Sequence, residues 1–187
     1  MLKITIDNIS IEVGEGTTIL EAARKIGGKI VPPAMCFYSK LRETGGKCRT
    51  CLVKVSRSSA KDPRPMPKLV ASCSTPVQDG MIVENITSTE VLEARKAIVE
   101  FLLINHPLDC PVCDQAGECD LQDLSFAHGV VQTRYEEDRR EFTEIEIGPY
   151  IKLHMNRCIH CYRCIYASRC ITRACCQYII RCGCCRA

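Results

Sequence analysis

The sequence predicts an α+β chain: a small sheet crossed by a helix, then a mostly helical segment, then the start of a third, thiol-rich unit. Three observations predict it. The first thirteen residues alternate apolar and polar as two half-buried strands do. Two Thr-x-x-Glu signatures, at Thr18–Glu21 and Thr87–Glu90, open helical patterns. Sixteen cysteines in 187 residues gather mainly in clusters, which a disulfide framework or metal binding would explain.

Leu2, Ile4 and Ile6 alternate with Lys3 and Thr5, and Ile9, Ile11 and Val13 alternate with Ser10 and Glu12. Asp7-Asn8 between them is a two-residue hairpin turn. The helix opened by Thr18 stops at Gly27-Gly28. Two strands followed by a crossing helix begin a β-grasp domain. Leu52, Val53 and Val55 start another strand, and Met81–Glu84 is the last. Residues 56–68 are polar and carry Pro63, Pro65 and Pro67, as an exposed insertion would. From Thr87 a helix extends to about Asn105, with Val91, Ala94, Ile98 and Leu102 at core spacing. A short helix is expected over residues 121–128, a solvated charge run over 134–144 and an extended segment over 145–151.

The thiols fall into three sets. Cys36, Cys48, Cys51 and Cys73 form the first, with gaps of eleven, two and twenty-one residues. Gly45 and Gly46 before Cys48 have no side chains, so backbone N–H groups can approach inorganic sulfide closely. A lone Cys36 or Cys73 would read as a buried apolar thiol. Four with closely spaced ligands and a distant last one resemble the plant-type ferredoxin [2Fe–2S] arrangement, although eleven residues exceed the four of that pattern. The second set is His106, Cys110, Cys113 and Cys119, at gaps of three, two and five. Pro107 and Pro111 disfavour a regular helix there and favour a loop. One imidazole with three thiols also suits zinc. The third set is Cys158, Cys161 and Cys164, two residues apart each time, the local signature of a [4Fe–4S] site whose fourth ligand comes from elsewhere. His160 inside it reads as a surface neighbour.

The start of the chain has no secretory or transit pattern, so clustered thiols in a reducing compartment point to metal rather than disulfides. No apolar run is long enough for a membrane span. A net charge of +3 gives no case for nucleic acid.

G-G-K-C-R-T-C-L-V-K-V, E-F-L-L-I-N-H-P-L-D-C-P-V-C-D-Q-A-G-E-C-D-L-Q-D and G-P-Y-I-K-L-H-M-N-R-C-I-H-C-Y-R-C together resemble the N-terminal part of the large (75 kDa-type) iron–sulfur subunit of NADH:quinone oxidoreductase, respiratory complex I. The resemblance covers roughly residues 1–166 and extends to iron–sulfur subunits of NAD-linked hydrogenases and some formate dehydrogenases. It implies a plant-type ferredoxin-like [2Fe–2S] domain over 1–86, a [4Fe–4S] domain with one histidine and three cysteine ligands over 87–128, and a partial ferredoxin-type [4Fe–4S] motif over 145–166. It implies a [2Fe–2S] cluster on Cys36, Cys48, Cys51 and Cys73, a [4Fe–4S] cluster on His106, Cys110, Cys113 and Cys119, and three ligands of a second [4Fe–4S] cluster on Cys158, Cys161 and Cys164. It further implies electron relay from a flavin- and NADH-binding partner subunit toward quinone, other peripheral-arm partners, and a place on the inner side of a bacterial cell membrane without insertion, in preference to the mitochondrial matrix. No catalytic acid, base or nucleophile is expected in this chain. A zinc-binding adaptor is the alternative of another class.

The stretch 167–187 departs from the family. It holds six cysteines (Cys170, Cys175, Cys176, Cys182, Cys184 and Cys185) and four arginines, and no acidic residue follows Glu146. A frameshifted or truncated tail with accidental thiols is one reading. A substitute fourth ligand from Cys170 or Cys175 is the other.

Overall fold

The computed structural model describes residues 1–41, 45–146, 148–150 and 152–168. They form a mixed α/β structure. Strands β1 (Leu2–Ile6) and β2 (Ile9–Val13) pair antiparallel through the Asp7-Asn8 turn. Both turn residues have positive φ, +44° and +69°, as the tight hairpin turn that matches strand twist requires. Helix α1 (Ile19–Ile26) follows; the Thr18 hydroxyl accepts the Glu21 N–H and the Glu21 carboxylate accepts the Thr18 N–H. Gly27, at φ +81°, ends it. Strands β3 (Leu52–Arg57), β4 (Val70–Ala71) and β5 (Met81–Glu84) complete a five-stranded sheet in the order β2-β1-β5-β3-β4. β1 and β5 run parallel at its centre, Ile4 opposite Met81 and Ile6 opposite Val83.

One face of the sheet packs on α1. Ile4, Ile6, Val53, Val55, Met81 and Val83 meet Ile19, Ala22 and Ala23 in a fully buried cluster. Burying each large side chain contributes about 1.5–3 kcal/mol, enough to hold a sheet of short strands together. Helix α2 (Thr89–Leu103) packs along β3 and against α3 (Asp120–His128). A second apolar cluster joins Met35, Cys36 and Cys48 of the sheet domain to Val99 of α2 and Leu121 and Leu124 of α3. A two-stranded ribbon, β6 (Ile145–Glu146) and β7 (Lys152–Leu153), precedes the last thiol set.

Three expectations are corrected. The Thr87–Glu90 capping box does not form: Ser88 is the N-cap and makes no side-chain cap bond. Thr87 instead donates its hydroxyl to the Asp7 carboxylate at 2.7 Å, and that carboxylate also accepts the N–H groups of Asn85, Ile86 and Thr87. The fully buried stripe of α2 is Val91, Arg95 and Val99, while Ala94, Ile98 and Leu102 are half-buried at its flanks. The insertion at 56–68 is not wholly exposed, because Met66 packs against the sheet core and donates its N–H to the Val55 carbonyl at 3.0 Å. The charge run over 134–144 is solvated as expected, exposed at every residue but the half-buried Tyr135, and it is anchored at Arg134, whose guanidinium and N–H bind the buried Glu100 carboxylate, and at Arg140, whose N–H binds Asn105. Strand β4 was not expected at all.

Candidate iron–sulfur sites

The first thiol set is enclosed by the sheet domain. Cys36, Cys48, Cys51 and Cys73 are each no more than 5% exposed. The Cys51 and Cys73 sulfurs lie 3.3 Å apart. Backbone N–H groups donate to the sulfurs: Gly46 to Cys73 at 3.0 Å, Lys47 to Cys36 at 3.4 Å and Cys36 to Cys48 at 3.4 Å. This approach explains the glycine pair. Gly45 has φ +123°, and a Cβ there would stand 3.0 Å from the Cys73 sulfur. Only a residue without a side chain brings the loop this close.

Contacts among the thiols themselves shift their acidity. Hydrogen bonding to the Cys48 and Cys73 thiols holds Cys36 down to about 2, against opposing burial. The Cys73 thiol holds Cys51 down to about 6. Cys48 is pushed up by its bond to Cys36 and by burial, and Cys73 by its bonds to Cys36 and Cys51. Thiolate is the form that binds iron. Buried soft donors, a Cβ-free approach and N–H groups aimed at sulfur fit a [2Fe–2S] cluster.

The second set is looser. His106 lies just past α2 and donates its N–H to the Leu103 carbonyl. Cys110 opens a 3-10 turn, Cys110–Val112, and Cys119 precedes α3 as its N-cap. His106, Cys113 and Cys119 line one cavity of about 430 Å³; Cys110 is not among its lining residues. Burial lowers the His106 pKa, with Asp109 opposing and Arg157 assisting. The imidazole is therefore neutral near pH 7, the form that ligates metal. Arg157 pairs with Asp109. Among the described residues, no three His, Cys, Asp or Glu side chains gather closely enough to grip a single ion.

The third set begins after a 3-10 turn, Met155–Arg157. Cys158 and Cys164 are exposed, and Cys161 is half-buried. Cys161 lines the second set's cavity. Cys158 and His160 share another cavity, of about 480 Å³, with Cys48 and His106. Arg163 donates to the Phe37 carbonyl at 3.2 Å and lies over the Tyr38 ring, so this segment docks beside the first set. Cys170 and Cys175, the suggested fourth ligands, lie outside the described residues with the rest of 169–187.

Sequence reasoning did not single out Arg95, Asn85, Thr50, Asp109 or Arg157. Arg95 had a signal: it stands four residues after Val91 and four before Val99, an arginine inside an apolar stripe.

Residues 1–88 match the model of the 2Fe-2S iron-sulfur cluster binding domain, and residues 95–134 that of the NADH-ubiquinone oxidoreductase-G iron-sulfur binding region. A subunit of the NADH-quinone oxidoreductase of Rickettsia bellii is 47% identical over 159 residues, covering 85% of this chain and 22% of that one. The NADH-ubiquinone oxidoreductase 75 kDa subunit of Reclinomonas americana is 45% identical over 161 residues, covering 86% and 21%. A chain in the crystal structure of NAD+-reducing [NiFe]-hydrogenase in the H2-reduced state superposes with a TM-score of 0.76 at 30% identity, covering 91% of this chain and 67% of that one. Fold, thiol sets and matches define an iron–sulfur protein with one [2Fe–2S] and one [4Fe–4S] region. The chain belongs to the family of the 75 kDa subunit of NADH-quinone oxidoreductase, whose N-terminal region it matches. It spans about a fifth of the length of the curated relatives it matches. Among the described residues no helix is long and apolar enough to cross a membrane.

Proposed function

We propose that the chain is an electron-relay unit of a NADH:quinone oxidoreductase. Its first domain, 1–86, is a plant-type ferredoxin-like β-grasp that holds a [2Fe–2S] cluster on Cys36, Cys48, Cys51 and Cys73. Residues 87–128 hold a [4Fe–4S] cluster on His106, Cys110, Cys113 and Cys119. Residues 145–166 supply Cys158, Cys161 and Cys164 to a second [4Fe–4S] cluster. The observation that carries this reading is the first set: four buried thiols with three backbone N–H groups donated to sulfur. When bound, clusters of this kind supply one-electron transfer. The chain's own residues hold sulfur in place, exclude water and set local charge. The apolar cluster that carries Cys36 and Cys48 also packs Cys119 and Cys161, so all three sets border one dry region. NADH and flavin bind a partner subunit in this reading, and the chain works on the inner face of the membrane.

The hydrogenase match favours a second reading, a small electron-transfer subunit of an NAD-linked hydrogenase, because it extends over two thirds of that structure's chain. Separate ligand variants test the site assignment common to both. Cys51→Ala should abolish the reduced [2Fe–2S] EPR signal and retain the [4Fe–4S] signals, and Cys113→Ala should abolish the signal of the cluster on His106, Cys110, Cys113 and Cys119 and retain the [2Fe–2S] signal. Loss of neither signal would contradict the assignment.

A further inference from the structure

We propose that Arg95 is a positioning residue of the [2Fe–2S] site, whose buried charge raises that cluster's reduction potential. The inference rests on the ligand assignment made for the first thiol set. Arg95 is 1% exposed. From α2 its Nε donates to the Thr50 carbonyl at 3.2 Å, and its Nη2 donates to the Leu52 carbonyl at 3.4 Å and the Asn85 Oδ1 at 2.6 Å. Thr50 and Leu52 flank Cys51 directly. The guanidinium therefore grips the backbone on both sides of one ligand, and its planar fork of donors suits that task better than an ammonium would.

All three hydrogen-bond acceptors are neutral oxygens. A buried cation without a bonded anion is costly unless a negative group lies near. Two negative groups act on it, the Cys51 thiolate, whose flanking backbone it holds, and the Asp7 carboxylate; of these the thiolate set is the one whose charge changes on reduction. Two ferric irons, two sulfides and four thiolates sum to two negative charges, and reduction by one electron makes three. No bond forms or breaks in that step. A fixed positive charge favours the more negative, reduced state. The rest of the shell supports the placement. Asn85 is fully buried and donates its Nδ2 to the Ile30 carbonyl at 2.9 Å, so Arg95 is anchored to the sheet domain rather than to a mobile side chain. Thr50 also sits 3.2 Å from the Cys48 sulfur, which extends the same contact chain to a second ligand.

The test is a potentiometric EPR titration of the full chain after anaerobic purification, with the [4Fe–4S] signal as internal reference. Arg95→Met should lower the [2Fe–2S] midpoint and leave the reference unmoved. Arg95→Lys, which keeps the charge, should restore most of the difference. Asn85→Asp places a carboxylate against the guanidinium without opening a cavity, and should lower the midpoint as well; it serves if Arg95→Met fails to fold. An unchanged [2Fe–2S] midpoint in either charge-altering variant overturns the proposal. A wild-type chain with no [2Fe–2S] signal overturns the ligand assignment beneath it, which is a different and recognisable result.

Discussion

The first thiol set and the two later ones present the same donor chemistry in opposite states of support. Cys36, Cys48, Cys51 and Cys73 are buried, and a sheet with its own core stands behind them. Cys110, Cys113 and Cys119 are half-exposed on turns, and Cys158 and Cys164 are exposed. Their support is a small apolar cluster and a few ion pairs, such as Arg157–Asp109. The difference teaches where order comes from. In the first set the polypeptide positions the sulfurs; in the later sets the bound metal must contribute much of the ordering, because metal-binding energy is then folding energy.

Removing iron separates the two most sharply. After anaerobic chelation, amide exchange should leave β1, β3 and β5 protected and strip protection from 106–119 and 155–164. Equal loss in both regions would erase the distinction. Next in size is Leu121→Ala. Leu121 is 4% exposed in the cluster shared by Cys36, Cys48, Cys119 and Cys161. Truncation there should cost about 2–5 kcal/mol in urea unfolding and weaken both sets, whereas a change confined to one set would deny the shared cluster its role. Gly45→Ala should act on the first set alone. A side chain at φ +123°, 3.0 Å from the Cys73 sulfur, adds strain of about 1–3 kcal/mol, read as faster cluster loss to a chelator with the [4Fe–4S] signal unchanged.

The smallest expected effect concerns the strap after α3. Arg134 holds the Glu100 carboxyl down to about 2 from an ordinary value near 4.5. A carboxylate lowered on folding contributes stability that is present above its unfolded pKa and lost as pH falls through the folded one. The Arg134 amide, which donates to Glu100 at 2.8 Å, should thus keep its exchange protection above about 4.5 and lose it on acidification toward about 2. Glu100→Gln should remove that pH dependence.

The same division governs what the sequence revealed. The β1–β2 hairpin, the Thr18 capping box and Met81–Glu84 rest on local signals, and each appears where alternation and capping residues placed it. What was missed depends on distant partners. Thr87 lies next to Asp7, eighty residues away, and no local rule says that this bond replaces a capping box. Strand β4 has two residues and exists through its pairing with β3, too short for periodicity. On α2 two neighbouring stripes were possible, and apolarity favoured Ala94, Ile98 and Leu102 over a stripe containing Arg95. The buried carbonyls at Thr50 and Leu52 and the Asn85 amide decide it. The candidate ligands were legible because soft donors at short spacings are visible in one dimension; the groups that tune them come from elsewhere in the chain.

The most direct test of the central claim is an iron and acid-labile sulfide count with reduced-state EPR on the anaerobically purified full chain. The account predicts at least one [2Fe–2S] and one [4Fe–4S] cluster per chain, with distinct signals from each. A colourless protein containing zinc and no sulfide, even after reconstitution, would contradict it.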